Sequence, residues 1–545
     1  MHKPYYIFIT GGVLSGLGKG ICTASIGKIL QWRGFKVEPI KIDGYLNFDA
    51  GTLRPTEHGE VWVTYDGGEI DQDLGHYERF LDVKISKINN ITSGQIYWQV
   101  IKNEREGKYL GKTVQLIPHV TDEIKRRIRQ VAEKSKPDFV LVEIGGTVGD
   151  YENAIFIEAA RQMRMEGEKC VFIHVSYVPI PKHLGEQKTK PTQHSVKMLR
   201  DLGIQPDFII CRSEKPLDDV RRKKIATFCD VKEENVISDP DVDFVYELPL
   251  VFEEQKLAEK ILSHFNLKPP QTLAVKKRWE GLVGKIKSLD KKVKIAIVGK
   301  YFDIGNFVLA DSYISVIEAV KHASWHNGVK PEIIWINSKD FEKDPSKVSV
   351  LDEVDGVIVP GGFGSSGVEG KVLAIKYCRE NNKPFLGLCF GLQLAVVEFA
   401  RNVCKLEGAH STEIYPNTPY PVIDILPEQK DILEKSKYGA TMRLGEYPAV
   451  LKKNTLVWKL YGKKEVVYER HRHRYEVNPE YHQTLQSHGL VFSGMSPDGR
   501  LVEFIELPNH RFFVATQAHP EFTSRFMKPN PLFDGLIKAL SVPKP

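Results

Sequence analysis

Apolar positions along the 545-residue chain fall into two kinds of run. Short unbroken runs, Tyr5–Thr10, Phe139–Ile144, Cys170–Val175 and Asp207–Arg212, show no polar alternation. They read as strands buried on both faces. Longer stretches at helical spacing lie between them: Ile21–Trp32, closed by Gly34, and a second over 153–166. Strand and helix in alternation predict a parallel sheet with helices on both faces. The pattern stops at Pro269-Pro270 and restarts at Val293–Gly299, followed by Val357–Val359, Phe385–Leu388 and Phe513–Thr516. The stretch between, with Lys276, Lys277, Arg278, Lys285 and Lys287, reads as a solvated basic linker helix. The expected fold is α/β with two doubly wound domains, at 1–267 and 293–545, joined by a linker at 268–292. No internal repeat or low-complexity segment interrupts it.

Composition narrows the class without changing this picture. The length exceeds what one core supports. An apolar content of 42% and a charged content of 27% suit a soluble globular enzyme. A net charge of +6 is small for this length; it favours anionic substrates and argues against a dedicated nucleic-acid binder. Seven cysteines without a CxxC pair argue against a disulfide framework and a zinc site, and fit a reducing compartment. The chain opens directly in a strand, so no signal peptide is expected. No run approaches the ~20 apolar residues that span a bilayer. A cytoplasmic protein without membrane or nucleic-acid partners is expected.

Chemistry concentrates where strands end. Leu386-Gly387-Leu388-Cys389-Phe390-Gly391 is a strand, a glycine-flanked turn with one cysteine, and a helix start. A cysteine on such an elbow is exposed at the strand tip, and the helix N-terminus favours its thiolate. Val357–Val359 runs into Pro360-Gly361-Gly362-Phe363-Gly364, whose amides can meet an oxyanion. Phe513–Thr516 leads to His519, with Glu521 two residues on. Nucleophile, base and orienting acid thus occur in the order Cys, His, Glu. Each piece alone also reads as packing or a turn; the three together point to catalysis.

In the first half, Gly11-Gly12-Val13-Leu14-Ser15-Gly16-Leu17-Gly18-Lys19-Gly20 links the first strand to a helix, the architecture of a phosphate-binding loop. Val13 stands where GxxxxGK[ST] has its first glycine, and Gly20 replaces the hydroxyl residue that would hold Mg²⁺. Asp73, in an acidic loop, and Glu143, at the end of an apolar strand, are the candidate metal ligands. Lys188-Thr189-Lys190-Pro191-Thr192-Gln193 reads either as a second phosphate site or as a solvated basic loop. The run Arg470-His471-Arg472-His473-Arg474 reads either as an anion site or as a solvated charged face.

These motifs carry two resemblances. The Cys389, His519, Glu521 set resembles class I glutamine amidotransferases, which release ammonia from glutamine through a cysteinyl thioester. Together with GGVLSGLGKG, DQDLGHYERF, EIGGTVGDYE and KTKPTQHS, the chain closely resembles the CTP synthase family along nearly its whole length. The resemblance implies a dethiobiotin-synthetase-like amidoligase domain followed by the glutaminase. It implies phosphorylation of the UTP 4-oxygen by ATP·Mg²⁺ and displacement of that phosphate by ammonia.

Carried over, it places ATP on Gly16, Leu17, Gly18, Lys19, Gly20 and Ile21, with adenine near Pro240, Asp241 and Val242, and Mg²⁺ on Asp73 and Glu143. Ser15, Lys188, Thr189, Lys190, Pro191, Thr192, Gln193 and Lys224 would bind the UTP phosphates. Asp150, Tyr151 and Glu152 would read the base of CTP as a feedback inhibitor. Glutamine would lie on Gly361, Gly362, Phe390, Gly391, Leu392, Gln393, Glu413 and Arg474. The segment Lys437–Gly445 resembles a lid linked to GTP activation, with Ala440 where a second glycine is usual. A homotetramer is implied. Rival readings are another ATP-dependent amidoligase fused to a glutaminase, and a non-catalytic P-loop scaffold.

Overall fold

Seven parallel strands make the first sheet. Their order is Asn90–Thr92, Val37–Asp43, Phe139–Ile144, Tyr5–Gly12, Cys170–Tyr177, Phe208–Ser213 and Val236–Pro240. The computed structural model describes residues 3–53, 59–268, 274–299, 303–304, 307–308, 310–362, 365–425 and 442–541. Tyr5–Gly12 is central, with Ile9 paired to Glu143 on one side and Ile173 on the other. The chain leaves this strand in both directions, so its carboxyl end is the point where strand order reverses and ligands settle. Ile7, Phe8, Ile9 and Phe139–Val142 are wholly buried, as unbroken apolar runs require when both faces are covered. The helix Lys19–Gln31 follows at once, and Gly34, at φ +82°, reverses the chain behind it.

The second sheet has nine strands. Five are parallel: Lys330–Asn337, Lys292–Gly299, Gly356–Val359, Phe385–Leu388 and Phe513–Thr516. Four antiparallel strands continue it: Val502–Glu506, Val491–Met495, Arg443–Leu451 and Val466–His473. Apolar clusters cover both faces, one built on the helices Val368–Glu380 and Phe390–Asn402, the other on Ile314–His326 and Pro531–Ser541.

Two findings depart from the hydropathy pattern. The helix Ala274–Lys287 is solvated on one face only: Trp279 is wholly buried against Trp32, Phe80 and Tyr246, and its Nε1–H donates to the Tyr246 carbonyl at 2.9 Å. Lysine runs hide this face because the opposite face is solvated. Secondly, the compact units do not follow the halves of the chain. Met1–Thr52 and Gln72–Val283 form one, while Leu53–Asp71 packs with Gly284–Pro545 in the other. Within that second unit the hairpin Val61–Val63/Glu69–Asp71 lies against the strand Val466–His473.

Candidate functional site

The elbow forms because two glycines let a helix sit directly on its sheet. A Cβ on Gly391 would lie 2.2 Å from the Val359 carbonyl oxygen, and one on Gly387 2.9 Å from the Gly391 oxygen. Squeezed between them, Cys389 takes φ +52°, ψ −102°, outside the regions an L-residue normally occupies. Its N–H donates to the Thr516 carbonyl at 2.7 Å, which fixes it to the strand that leads to His519. The His519 N–H donates to the Arg470 carbonyl at 2.7 Å, and Nδ1 meets Glu521 Oε1 at 2.7 Å. Burial works against a charged imidazole here. The Glu521 carboxylate and the Cys389 sulfur outweigh it and raise His519 to about 10. At neutral pH the imidazole is therefore charged, and it is placed to hold the proton that Cys389 gives up. A Cβ on Gly361 would lie 2.8 Å from His519 Cε1, so only glycine leaves the imidazole in place.

Two cavities meet at Cys389. One is lined by Glu60, Tyr313, Gly361, Gly362, Arg472 and His519. The other gathers Gly362, Phe390, Gln393, Glu413, His473, Arg474 and Tyr475 around the same cysteine. The predicted head-group residues Glu413 and Arg474 thus share one cavity with Cys389. Gln393 is fixed by its Nε2–H to the Tyr475 carbonyl at 2.9 Å. Gly391 and Leu392 sit differently: Leu392 is wholly buried in the core, and Gly391 serves the close helix–sheet contact. Phe363, Gly364 and residues 437–441 of the predicted lid lie outside the described residues.

The arginine–histidine run is neither a solvated face nor a free anion site over most of its length. Arg470, His471 and His473 are buried on alternate faces of one strand. Arg470 donates to the Val63 carbonyl at 3.0 Å and lies over the Trp62 ring, and Arg472 donates to Glu69 at 2.8 Å. His471 and His473, 2.9 Å apart, face a buried group of Arg443, Glu476 and Glu503. Burial first, with Arg443 and His519 nearby, holds both imidazoles well below their ordinary value, so they are neutral.

In the first unit Lys19 folds back over Gly11, where a Cβ would lie 2.6 Å from its Cδ, and donates to the Gly146 carbonyl at 2.9 Å. Burial lowers its pKa. Gly16 and Gly18 take φ +69° and +87°, and Val13 takes +82°, a left-handed conformation that a β-branched residue occupies under strain. The missing hydroxyl at Gly20 has an explanation: a Cβ there would lie 3.0 Å from Asp73 Oδ1. The carboxylate occupies the space of the absent side chain.

Lys41, which the hydropathy reading passes over, stands among three acids. Its Nζ contacts Asp73 Oδ2 and lies 3.4 Å from Asp43 and 3.6 Å from Glu143. Burial raises Glu143, whose Oε2 accepts from the Tyr77 hydroxyl. Burial also opposes the Asp73 charge, but Lys41 and His76 hold its carboxyl below its ordinary value. Among the described residues no group of three or more His, Cys, Asp or Glu side chains forms a metal cage. Two carboxylates converging on one cation do suit Mg²⁺ that is shared with nucleotide phosphates. The signal for Lys41 was present: a lysine inside a buried strand needs acidic partners.

The other predicted residues spread around the same sheet edge. Ser15 is exposed in the loop, Leu17 and Gly20 are buried, and Ile21 is half-buried. Thr189, Thr192 and Gln193 are buried and bonded internally, Thr192 to Ser176 at 3.0 Å and Gln193 to Thr189 at 3.1 Å. Lys190 and Pro191 open the helix Lys190–Asp201, and Lys188, two residues before it, contacts Glu186. Lys224 is exposed on the helix Asp219–Cys229, which packs on that helix. Asp150, Tyr151 and Glu152 are exposed at the start of the helix Tyr151–Met165. Asp241 pairs with Arg212 at 2.6 Å, and the preceding Asp239 accepts from Cys22 of the loop helix at 3.3 Å, beside Pro240 and Val242. A buried chain that sequence reasoning missed, Thr10, His174 and Ser195, with contacts of 2.9 and 2.8 Å, ties the first strand to the helix after the lysine loop.

Comparison with known proteins places these sites in context. Residues 5–267 match the family model for the CTP synthase N-terminus, and residues 308–539 match the class-I glutamine amidotransferase model. The chain is 57% identical to CTP synthase of Thermococcus gammatolerans over 537 residues, 98% of each chain. It is 56% identical to CTP synthase of Methanocaldococcus jannaschii over 541 residues, again 98% of each. Among solved structures, the Trypanosoma brucei CTPS glutaminase domain with bound acivicin is 36% identical. The match covers 46% of this chain and 94% of that one, with a TM-score of 0.43.

Proposed function

The chain belongs to the CTP synthase family and is a glutamine-hydrolysing ligase that converts UTP to CTP; we propose that Cys389, His519 and Glu521 release the ammonia and that the Lys19 loop with its acids supports the transfer to UTP. ATP is the co-substrate and Mg²⁺ serves the reaction. Near-complete coverage by CTP synthases leaves no support for another amidoligase or a scaffold.

The observation that carries the reading is the strained cysteine beside an imidazole that Glu521 keeps charged. The Cys389 thiolate attacks the glutamine side-chain carbonyl carbon. Amides of Gly361 and Gly362 meet the oxyanion. His519 gives its proton to the departing ammonia, and water, deprotonated by the neutral imidazole, cleaves the thioester to glutamate. Glu413 and Arg474, sharing the cavity, match the two charges of the amino-acid head group.

In the first unit the γ-phosphoryl of ATP passes to the UTP 4-oxygen, and ammonia displaces it as phosphate, leaving CTP and ADP. Lys19 lies on the phosphates, with adenine toward Pro240–Val242, and Lys188 to Gln193 with Lys224 take UTP. Asp73 and Glu143 would hold Mg²⁺, which neutralises phosphate charge when bound. Lys41 orients those two carboxylates. Further parts of the reading are feedback by CTP at Asp150–Glu152, activation by GTP, a cytoplasmic location and a homotetramer. Exposed Trp98 and Ile101, on one face of the helix Ser93–Arg105, offer apolar surface for self-association. Among the described residues no helix is long and apolar enough to cross a membrane.

The test is CTP formation from UTP, ATP and Mg²⁺ with glutamine or ammonium. Cys389→Ala is expected to lose at least about 1000-fold with glutamine and still to make CTP from ammonium. Loss of both activities in a folded variant contradicts the division of labour.

A further inference from the structure

We propose that Gln517 is a further catalytic residue of the glutaminase, holding the Cys389 sulfur in its ionised form. The inference rests on Cys389 being the nucleophile. Gln517 is wholly buried, and its Nε2 lies 3.9 Å from Cys389 Sγ, within reach of an N–H···S hydrogen bond. Its Oε1 has no partner among the described residues. The backbone around it is pinned: its own N–H donates to the Glu503 carbonyl at 2.9 Å, and the preceding Thr516 carbonyl holds the Cys389 N–H.

A buried carboxamide satisfied on one side only weakens a fold, and such groups stand out where chemistry needs them. Here the satisfied side is the one that meets the nucleophile. The sulfur needs a donor, because the Arg472 carbonyl oxygen, also 3.9 Å away, suits a thiol and repels a thiolate. An amide N–H on sulfur acts oppositely, favouring the anion. Unlike His519, Gln517 cannot take the proton. It therefore keeps supporting the anion after His519 has given its proton to ammonia, when the thiolate must again become the leaving group from the thioester.

The charged and titratable groups around the sulfur are His519 and Glu521 from their turn and Arg472, His473 and Arg474 from the neighbouring strand end. Glu413 and Glu60 face it across the cavities. None of these changes in a Gln517 variant.

The experiment uses the full chain and follows alkylation of Cys389 by iodoacetamide as a function of pH, with the modified residue identified by peptide mass. Gln517→Leu keeps the volume and removes the donor. The expected result is a rise of about one pH unit in the midpoint of the alkylation profile, which is about tenfold less thiolate below it. Thermal stability should be unchanged or higher, because a half-satisfied amide has been removed. Gln517→Met is a second variant of similar shape should the first fail to fold. An unmoved midpoint in a folded variant overturns the proposal, as does a lower melting temperature with no change in the profile. Failure of the underlying reading looks different. If wild-type Cys389 reacts no faster than the other buried cysteines, and its alkylation leaves glutamine hydrolysis intact, Cys389 is not the nucleophile and the proposal falls with it.

Discussion

His519 shows how much one neighbour decides. Burial works to keep this imidazole neutral, as it does, with Arg443 beside them, for His471 and His473. The largest difference is the Glu521 carboxylate at 2.7 Å, with the Cys389 sulfur adding to it. Glu521→Gln removes that charge and keeps the shape, leaving burial as the strongest influence. The imidazole then sheds its proton, and glutamine hydrolysis should fall by about 100-fold. The change also appears in stability. A histidine raised from 6.5 to about 10 contributes stability that is complete below pH 6.5 and is lost as the pH rises through 10. The gap in melting temperature between wild type and Glu521→Gln should therefore be widest near the acid end of that window and close toward its alkaline end. A gap independent of pH would show that the pair contributes packing rather than charge.

At the scale of the element, the Cys389 elbow depends on how closely the helix Phe390–Asn402 approaches the strand Gly356–Val359. Gly391 has space for a hydrogen and nothing more, since a Cβ would lie 2.2 Å from the Val359 oxygen. Gly391→Ala must push helix and strand apart, at a cost of about 1–3 kcal/mol. Val359 leads directly into Pro360 and Gly361, so the same shift moves the proposed oxyanion amides of Gly361 and Gly362 relative to Cys389. Calorimetry should find a folded but less stable protein, and glutamine hydrolysis should drop at least tenfold, as expected for a misplaced oxyanion donor. Full activity with lowered stability would separate the packing from the chemistry. This element was legible: the glycines, the cysteine and the apolar strand all lie within ten residues. The strand Val466–His473 was not, because Arg470 and Arg472 find their partners, the Val63 carbonyl and Glu69, about 400 residues earlier in the sequence.

At the scale of the molecule, the hairpin Val61–Val63/Glu69–Asp71 comes from the first part of the chain and belongs by its packing to the second unit. Trp62 is wholly buried there, 4.8 Å from the Phe522 ring and under the Arg470 guanidinium. Phe522 in turn stacks on His519. Trp62→Ala should lower the stability of the second unit by about 3–5 kcal/mol. It should also weaken glutamine hydrolysis although residue 62 follows the phosphate loop in sequence. The readout is a domain-resolved unfolding curve beside the glutaminase rate. A variant that loses only UTP amination would assign the hairpin to the first unit instead.

Cys389, His519, Glu521, Lys19 and Glu143 stood out in the chain as candidates because each lies within a few residues of the end of an apolar strand, and Cys389 and Lys19 also open helices beside glycine. Local propensity and hydropathy fix both features within a few residues. The alternation of buried strands likewise determined two α/β sheets. Only the tertiary structure decided that Lys41 stands among Asp43, Asp73 and Glu143, that Asp73 fills the space left at Gly20, and that Trp279 anchors a helix whose lysines suggested solvent. It alone placed Trp62 and Arg472 with the glutaminase and set Gln517 against the sulfur. These depend on which strands become neighbours, and neighbours in a sheet are chosen by the burial of the whole chain, not by the spacing of residues along it.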